Sequence, residues 1–244
     1  MMQHEDPRIA DLIRTGAIRT GLFLPQFIRD RTSGELRGLG TGYIAIEMTR
    51  KIAEHLGIAM RIVEYPSPKA AVAGLKSDGC DVAFLGVEPT RAAEVDFAPA
   101  IFHFDYSLLV PPGSTIKSIA DADRPDTRIG LIESHASALA LQRTVKHAQL
   151  IGVELPEQAP DLIRQGKVEA LAFPRDHLLD FADQLPGSHV LAKGYGINRV
   201  AMAVRQNRPG LLAFASEFSE QAKTSGLVQS AIDRGALRGF AVAD

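Results

Sequence analysis

Residues 43–85 read YIAIEMTRKIAEHLGIAMRIVEYPSPKAAVAGLKSDGCDVAFL, and this stretch decides the fold class. From Tyr43 to Leu56 the apolar residues Ile44, Met48, Ile52 and Leu56 recur every fourth position, and Gly57 follows where a helix C-cap glycine belongs. The spacing predicts a helix. Arg61 to Tyr65 then reads as a strand, Pro68 to Lys76 as a second helix with Ser67 as its cap, and Asp81 to Leu85 as a buried strand. Upstream, Ile18 to Phe23 is a further short strand ended by Pro25, which makes the order βαβαβ. Strands alternating with helices of this length imply a largely parallel sheet covered on both faces.

Outward from this unit, the polar, glycine-punctuated run from Arg29 to Gly42 fits a hairpin or loop. Its Gly38-Leu39-Gly40-Thr41-Gly42 lacks both a preceding apolar strand and the Gly-x-Gly-x-x-Gly spacing of a nucleotide loop. After Tyr106 to Val110 and the break at Pro111-Pro112-Gly113, the same grammar restarts. Arg128 to Ile132 is a strand, a helix begins near Ala136, and a strand follows near Leu150 to Val153. Asp161 to Gln165 is helix and Val168 to Phe173 strand, so a second α/β unit is nested in the chain. Val200 to Val204 gives one more strand, and Pro209 starts a long helix with Leu212, Ala215, Phe218 and Ala222 on one face. Leu227 to Leu237 reads as a final helix.

At 244 residues, 45% hydrophobic and 23% charged, the chain has the make-up of an ordinary globular protein. A formal net charge of -2 supplies no basic field for a phosphate backbone, so nucleic acid is excluded as a partner. The single cysteine, Cys80, rules out an internal disulfide and a cysteine-built zinc site, and its apolar setting predicts a core thiol. No cofactor, metal or membrane insertion is expected, since no run approaches the roughly 20 apolar residues needed to span a bilayer. Met1 to Pro7 is polar and lacks the apolar region of a secretory signal. Either a leader was removed and the protein is periplasmic, or Met1 is the native start and the protein is cytoplasmic.

Chemistry concentrates after Leu85, in Gly86-Val87-Glu88-Pro89-Thr90-Arg91, followed by Val95-Asp96-Phe97-Ala98-Pro99. These residues leave the carboxyl edge of a parallel sheet, where open α/β folds bind ligands. Pro89 suits a first helical turn, and Arg91 could clamp a carboxylate with two parallel hydrogen bonds. The plain alternative is a surface arginine paired with Glu94 or Asp96.

The segment resembles the signature of the family 3 solute-binding proteins, in which a Thr-Pro-Glu-Arg-like turn precedes Val-Asp-Phe and a Ser-Pro-Tyr-like step. Gly42 to Gly57, Ala73 to Val82, Lys117 to Asp121 and Gly166 to Ala170 are similar to the family pattern in order and spacing, and the resemblance runs from about Ile18 to about Arg234. It implies an α/β, two-lobed type II periplasmic binding protein fold with a ligand cleft between the lobes. Residues 1–110 and 194–244 would form lobe 1 and 111–193 lobe 2, with a two-segment hinge near Val110 and Lys193. It further implies that Arg91 holds the carboxylate of a small anionic metabolite, that Gly86 offers backbone contacts, and that Phe23 and Phe27 wall the ligand. Core packing is the alternative for both aromatics, more so for Phe23.

Several positions depart from the family pattern. Glu88 replaces a hydroxyl residue, and either accepts from a ligand donor or neutralises Arg91. Ser134 and His135 stand at the glycine and serine positions of a Gly-Ser-Thr turn. An imidazole contact there would make affinity pH-dependent, and the alternative is a capping Ser134 beside a solvent-exposed His135. Pro174 occupies the place where amino-acid receptors carry an ammonium-binding aspartate, with Arg175 next. A ligand without an ammonium, such as a dicarboxylate or an aromatic acid, fits Arg91 and Arg175 better than an α-amino acid. The function implied is a receptor without catalytic residues that serves an ABC permease. A lyase resembling cyclohexadienyl dehydratase, with Glu88, Glu133 or His135 as general acid, is the enzyme alternative, and a ligand sensor is the third.

Overall fold

In the computed structural model, which describes residues 6–30, 32–133 and 135–244, the 43–85 stretch folds as its periodicity demands. The first helix spans Thr41–Leu56 and buries Ile44, Met48 and Ile52 completely. Each such side chain contributes about 1.5–3 kcal/mol of burial free energy. Thr49, a polar residue on that face, is satisfied on both sides: its hydroxyl donates to the Ala45 carbonyl at 2.8 Å and accepts from Thr20 at 2.9 Å. Gly57 closes the helix at φ 65°, a left-handed cap that a side chain would strain. The second helix is Pro68–Lys76, capped by the Ser67 hydroxyl accepting from the Ala70 N–H at 3.2 Å.

The chain separates into two compact units. One runs up to His103 and resumes over Arg199–Leu237 and Ala241–Asp244; the other comprises Phe104–Asn198 and Arg238–Phe240. The divisions fall at 103/104 and 198/199 rather than at Val110 and Lys193. Both lie inside continuous strands, Val95–Val110 and Gly196–Arg205, so no break in composition marks them.

In the first unit, Ala17–Phe23 pairs in parallel with Ala59–Tyr65, from Ala17 opposite Ala59 to Phe23 opposite Tyr65. On its other side it meets Val82–Gly86, also in parallel, and Val200 to Val204 then adds antiparallel to Val82–Gly86. In the second unit, Arg128–Ile132 lies parallel to both Gln149–Val153 and Ala170–Pro174. Tyr106 to Leu109 closes against Ala170–Pro174 in the antiparallel sense. The parallel expectation therefore holds for three strands in each unit, and the crossing strands run the other way.

The strand Ala170–Pro174 shows why a continuous apolar run needs two covered faces. Ala170 and Ala172 enter a cluster with Leu131 and Leu141, whereas Leu171 and Phe173 enter another with Leu178 and Phe181. Cys80 is buried in the first unit's core with Val72, Leu75 and Leu85, and burial raises its thiol pKa, as befits an inert core group.

Three sequence expectations need correction. The helix Pro209–Thr224 buries Leu211, Phe214, Ala215, Ser219 and Ala222, while Leu212 and Phe218 are only half-buried, because the inward stripe is rotated by about one residue. Val95–Val110 is a 16-residue strand and not the short Tyr106 to Val110 segment. The helices Ala10–Thr15 and Arg175–Gln184 carried too few apolar residues to be read; the second buries only Leu178 and Phe181. Among the described residues, no helix is long and apolar enough to cross a membrane.

Candidate functional site

In the first unit, the strand Val82–Gly86 is buried through Leu85, after which the chain emerges into the single helical turn Pro89–Ala92. The Glu88 carbonyl accepts from the N–H groups of Arg91 at 3.0 Å and Ala92 at 2.9 Å, and Pro89 fixes the first helical position. Arg91 folds back over this turn and donates from Nη1 to the Gly86 carbonyl at 2.9 Å. Glu94 is taken by Lys76 at 2.7 Å, and among the described residues no carboxylate pairs with Arg91. The half-buried guanidinium is thus positioned without being neutralised. Beside it lies a cavity of about 650 Å³ lined by Ser67, Val72, Lys76, Thr90 and Glu94. Glu88 is half-buried and forms no ion pair with Arg91 or with any other described residue.

Of Phe23 and Phe27, the second is the more deeply buried, the reverse of the order the sequence suggested. Phe27, which starts the strand Phe27–Arg29, is the buried one, at 7% exposure. Phe23 is half-buried and packs against the Val72, Leu75 and Leu85 cluster from its rim. Between them Gln26 is locked in the core, its Nε2 donating to the Phe84 carbonyl at 3.1 Å. Gly42 is needed here, since a Cβ on it would stand 2.0 Å from the Gln26 carbonyl oxygen.

In the second unit, Arg128–Ile132 leads into the helix Ala136–Thr144, with His135 at the N-cap. Ser134 lies outside the described residues. The His135 ring does the capping: its Nδ1 accepts from the Ser137 N–H at 3.2 Å and sits 2.8 Å from the Ser137 hydroxyl. Its ring packs edge-on to Tyr106 at 6.4 Å, and Tyr106 lies 6.0 Å from Tyr195. The Tyr195 hydroxyl donates to the Ser137 carbonyl at 3.3 Å. Burial, together with the charge of His177, lowers the His135 pKa to about 4. The ring is half-buried rather than solvent-exposed, and its burial favours the neutral form.

Arg175 is engaged within its own unit. Its Nη2 donates to the Leu191 and Ala192 carbonyls at 3.2 and 2.9 Å, and it lies 3.4 Å from the Asp105 carboxylate. It therefore acts as a strut for the segment around Leu191. Next to it, Asp176 Oδ1 is buried with no hydrogen-bond partner among the described residues, and burial raises the carboxyl pKa. Sequence reasoning passed over Asp176, Tyr195 and His177. Only the position of Asp176 in the first turn after a buried strand could have pointed to it.

Two α/β units joined by two crossing strands, with helical turns at their strand ends, define a two-lobed solute-binding architecture. The pattern of the bacterial extracellular solute-binding proteins, family 3, matches residues 26–234, and the chain belongs to that family. The ABC transporter glutamine-binding protein GlnH of Bacillus subtilis (strain 168) is 21% identical over 203 residues, which cover 82% of this chain and 72% of that protein. The solute receptor for L-cysteine of Neisseria gonorrhoeae is 20% identical, with a TM-score of 0.71 over 97% of this chain and 99% of that one. The ancestral amino acid-binding protein AncCDT-1, a precursor of cyclohexadienyl dehydratase, is 19% identical, with a TM-score of 0.71 over 93% of this chain and 97% of that one. These structural likenesses establish the type II periplasmic binding protein fold.

Proposed function

We propose that the protein captures a small carboxylate-bearing metabolite and presents it to the permease of an ABC importer. The observation that carries this reading is Arg91: a half-buried guanidinium oriented by the Gly86 carbonyl, with no carboxylate of the described chain to neutralise it. Such a group favours an incoming carboxylate, since a charge-assisted hydrogen bond in a partly desolvated place is roughly twice as strong as a neutral one. Capture then works through differential affinity, as the bound solute stabilises the conformation it fits best.

The ligand is read as a carboxylate without an α-ammonium. Pro174 is buried and offers no charge, and Arg175 is consumed by Asp105 and two carbonyls, so recognition rests on one arginine. The amino acids in the names of GlnH and of the Neisseria gonorrhoeae receptor make amino-acid binding the alternative outcome, in which Asp176 would be the natural partner for an ammonium. Catalysis is disfavoured at His135, because with a pKa of about 4 the ring is neutral near pH 7, and a neutral imidazole N–H is too weak an acid to serve as a general acid.

The test is a thermal-shift screen against amino acids, dicarboxylates and aromatic carboxylates including prephenate, with Arg91→Ala as control and product analysis for each hit. A rise in midpoint with a carboxylate, lost in the variant and leaving the compound unchanged, is the expected result. Turnover of a hit would establish the lyase instead. A hit that requires an α-ammonium and is lost in Asp176→Asn would replace the ligand class.

A further inference from the structure

We infer that residues 237–244 form a clip on the crossing strand Val95–Val110: fastened to the first unit at both ends and to the second unit at its middle, the clip restrains bending at the 103/104 division. The inference goes beyond the receptor reading and holds whatever solute is bound. The clip starts where the helix Leu227–Arg234 stops. Ala236 adopts φ 48°, and the Leu237 N–H donates back to the Ile232 carbonyl at 3.0 Å, which fixes the departing chain to the first unit. At the other end the Ala243 N–H donates to the Ile101 carbonyl at 3.0 Å, and Lys223 Nζ donates to the Asp244 backbone oxygen at 3.1 Å. These anchors all belong to the first unit, whereas residues 238–240 between them belong to the second.

Each of the three middle residues makes a different contact within the second unit. Arg238 donates to the Asp183 carboxylate and lies 3.8 Å from that of Asp180, both on the helix Arg175–Gln184. These groups are exposed, so the pairing sets direction more than strength. Gly239 lies at φ 81° against the start of the same helix, where a Cβ would stand 3.1 Å from Arg175 Cγ and 3.2 Å from the Asp176 backbone nitrogen. Phe240 packs its ring on Phe104, with centroids 5.0 Å apart.

Phe240–Val242 is itself a strand and pairs with Val95–Val110. The clip thus touches the crossing strand on both sides of the division: Ala243 meets Ile101 before it and Phe240 meets Phe104 after it. Ile101 is fully buried, so lifting the clip removes a donor from a carbonyl in a place closed to water. Hinges commonly bend at a few loop or element-terminal residues that absorb changes in φ and ψ. Here the division lies inside a strand with a second strand beside it, and bending it strains that pairing. Release of residues 238–240 is the step that frees the division to bend.

Two measurements on the full chain without solute test the inference, so their outcome is independent of the receptor reading. Amide hydrogen exchange, resolved by residue, is compared among wild type, Phe240→Ala and Gly239→Ala. Exchange of the Ala243 amide and of residues 101–106 should quicken by about tenfold or more in both variants, while Val82–Gly86 and Arg128–Ile132, one core strand in each unit, keep their wild-type rates. Wild-type rates at Ala243 and 101–106 would overturn the clip. Faster exchange spread evenly through the second unit would overturn it as well, by making Phe240 an ordinary packing group. Distances between nitroxides on His55→Cys and Gln142→Cys, one exposed position in each unit, then read the bending itself, Cys80 being buried. The distance distribution should broaden in both clip variants. A width that neither variant changes would overturn the restraint even where exchange quickens.

Discussion

The two units use the same backbone device to opposite electrostatic ends. In each, a buried parallel strand ends and the chain turns at once into a helix: after Val82–Gly86 comes the turn bearing Arg91, and after Arg128–Ile132 comes the cap formed by His135. The first turn carries a guanidinium that the Gly86 carbonyl orients and no described carboxylate pairs with. The second carries a group whose charge is removed by burial, a like-charged neighbour and a helix N-terminus. Similar folds at two strand ends therefore do not imply similar recognition. One turn bears a guanidinium, the other a buried ring whose neutral form is favoured.

The largest effects that could break this comparison lie in the cores. Phe84→Ala and Phe173→Ala each remove a fully buried ring, one per unit, and each should cost about 3–5 kcal/mol. Hydrogen exchange read segment by segment should show lost protection concentrated in the unit that carries the substitution. Equal loss in both units would mean that they do not hold separate cores.

Next come the glycines that let chain segments approach closely. Gly42→Ala drives a Cβ to within 2.0 Å of a backbone oxygen at Gln26 and should cost about 3 kcal/mol in denaturant unfolding. Gly152→Ala in the second unit meets only the end of the exposed Glu133 side chain, which can swing away, and should cost less than about 1 kcal/mol. Equal costs would contradict the distinction between backbone and side-chain contact.

A smaller effect sharpens the comparison electrostatically. The His135 pKa is about 4 in the folded chain against about 6.5 unfolded, so between those values the unfolded state binds the proton that the native state refuses. Stability from this group is complete above about pH 6.5 and lost as pH falls toward 4. Allowing for solvent near a half-buried ring, the loss should be on the order of 1–2 kcal/mol. Unfolding curves of the wild type and His135→Gln at pH 7 and pH 4.5 check it: the variant should lose less stability on acidification.

Much of the fold was legible in the sequence because its signals are local. Ile44, Met48, Ile52, Leu56 and Gly57 mark a helix and its end without any tertiary information, and Ser67 caps the next one as its residue type predicts. The unit divisions were not legible, since they fall inside uninterrupted strands at 103/104 and 198/199. The site divides in the same way. Arg91 stood out through the turn around it, but the state of His135 depends on where a backbone N–H two residues later points. The engagement of Arg175 depends on carbonyls at Leu191 and Ala192, which no sequence pattern brings near it. Phe23 and Phe27 were misordered because an aromatic at a strand end looks the same in sequence whether it closes the core or rims it.

The measurement closest to the central claim is calorimetric titration of the best carboxylate from the screen into wild type, Arg91→Lys and Arg91→Ala. The account predicts that affinity falls by about tenfold or more in Arg91→Ala, with partial retention in Arg91→Lys and unchanged melting temperatures without ligand. Undiminished affinity in a folded Arg91→Ala protein would contradict it.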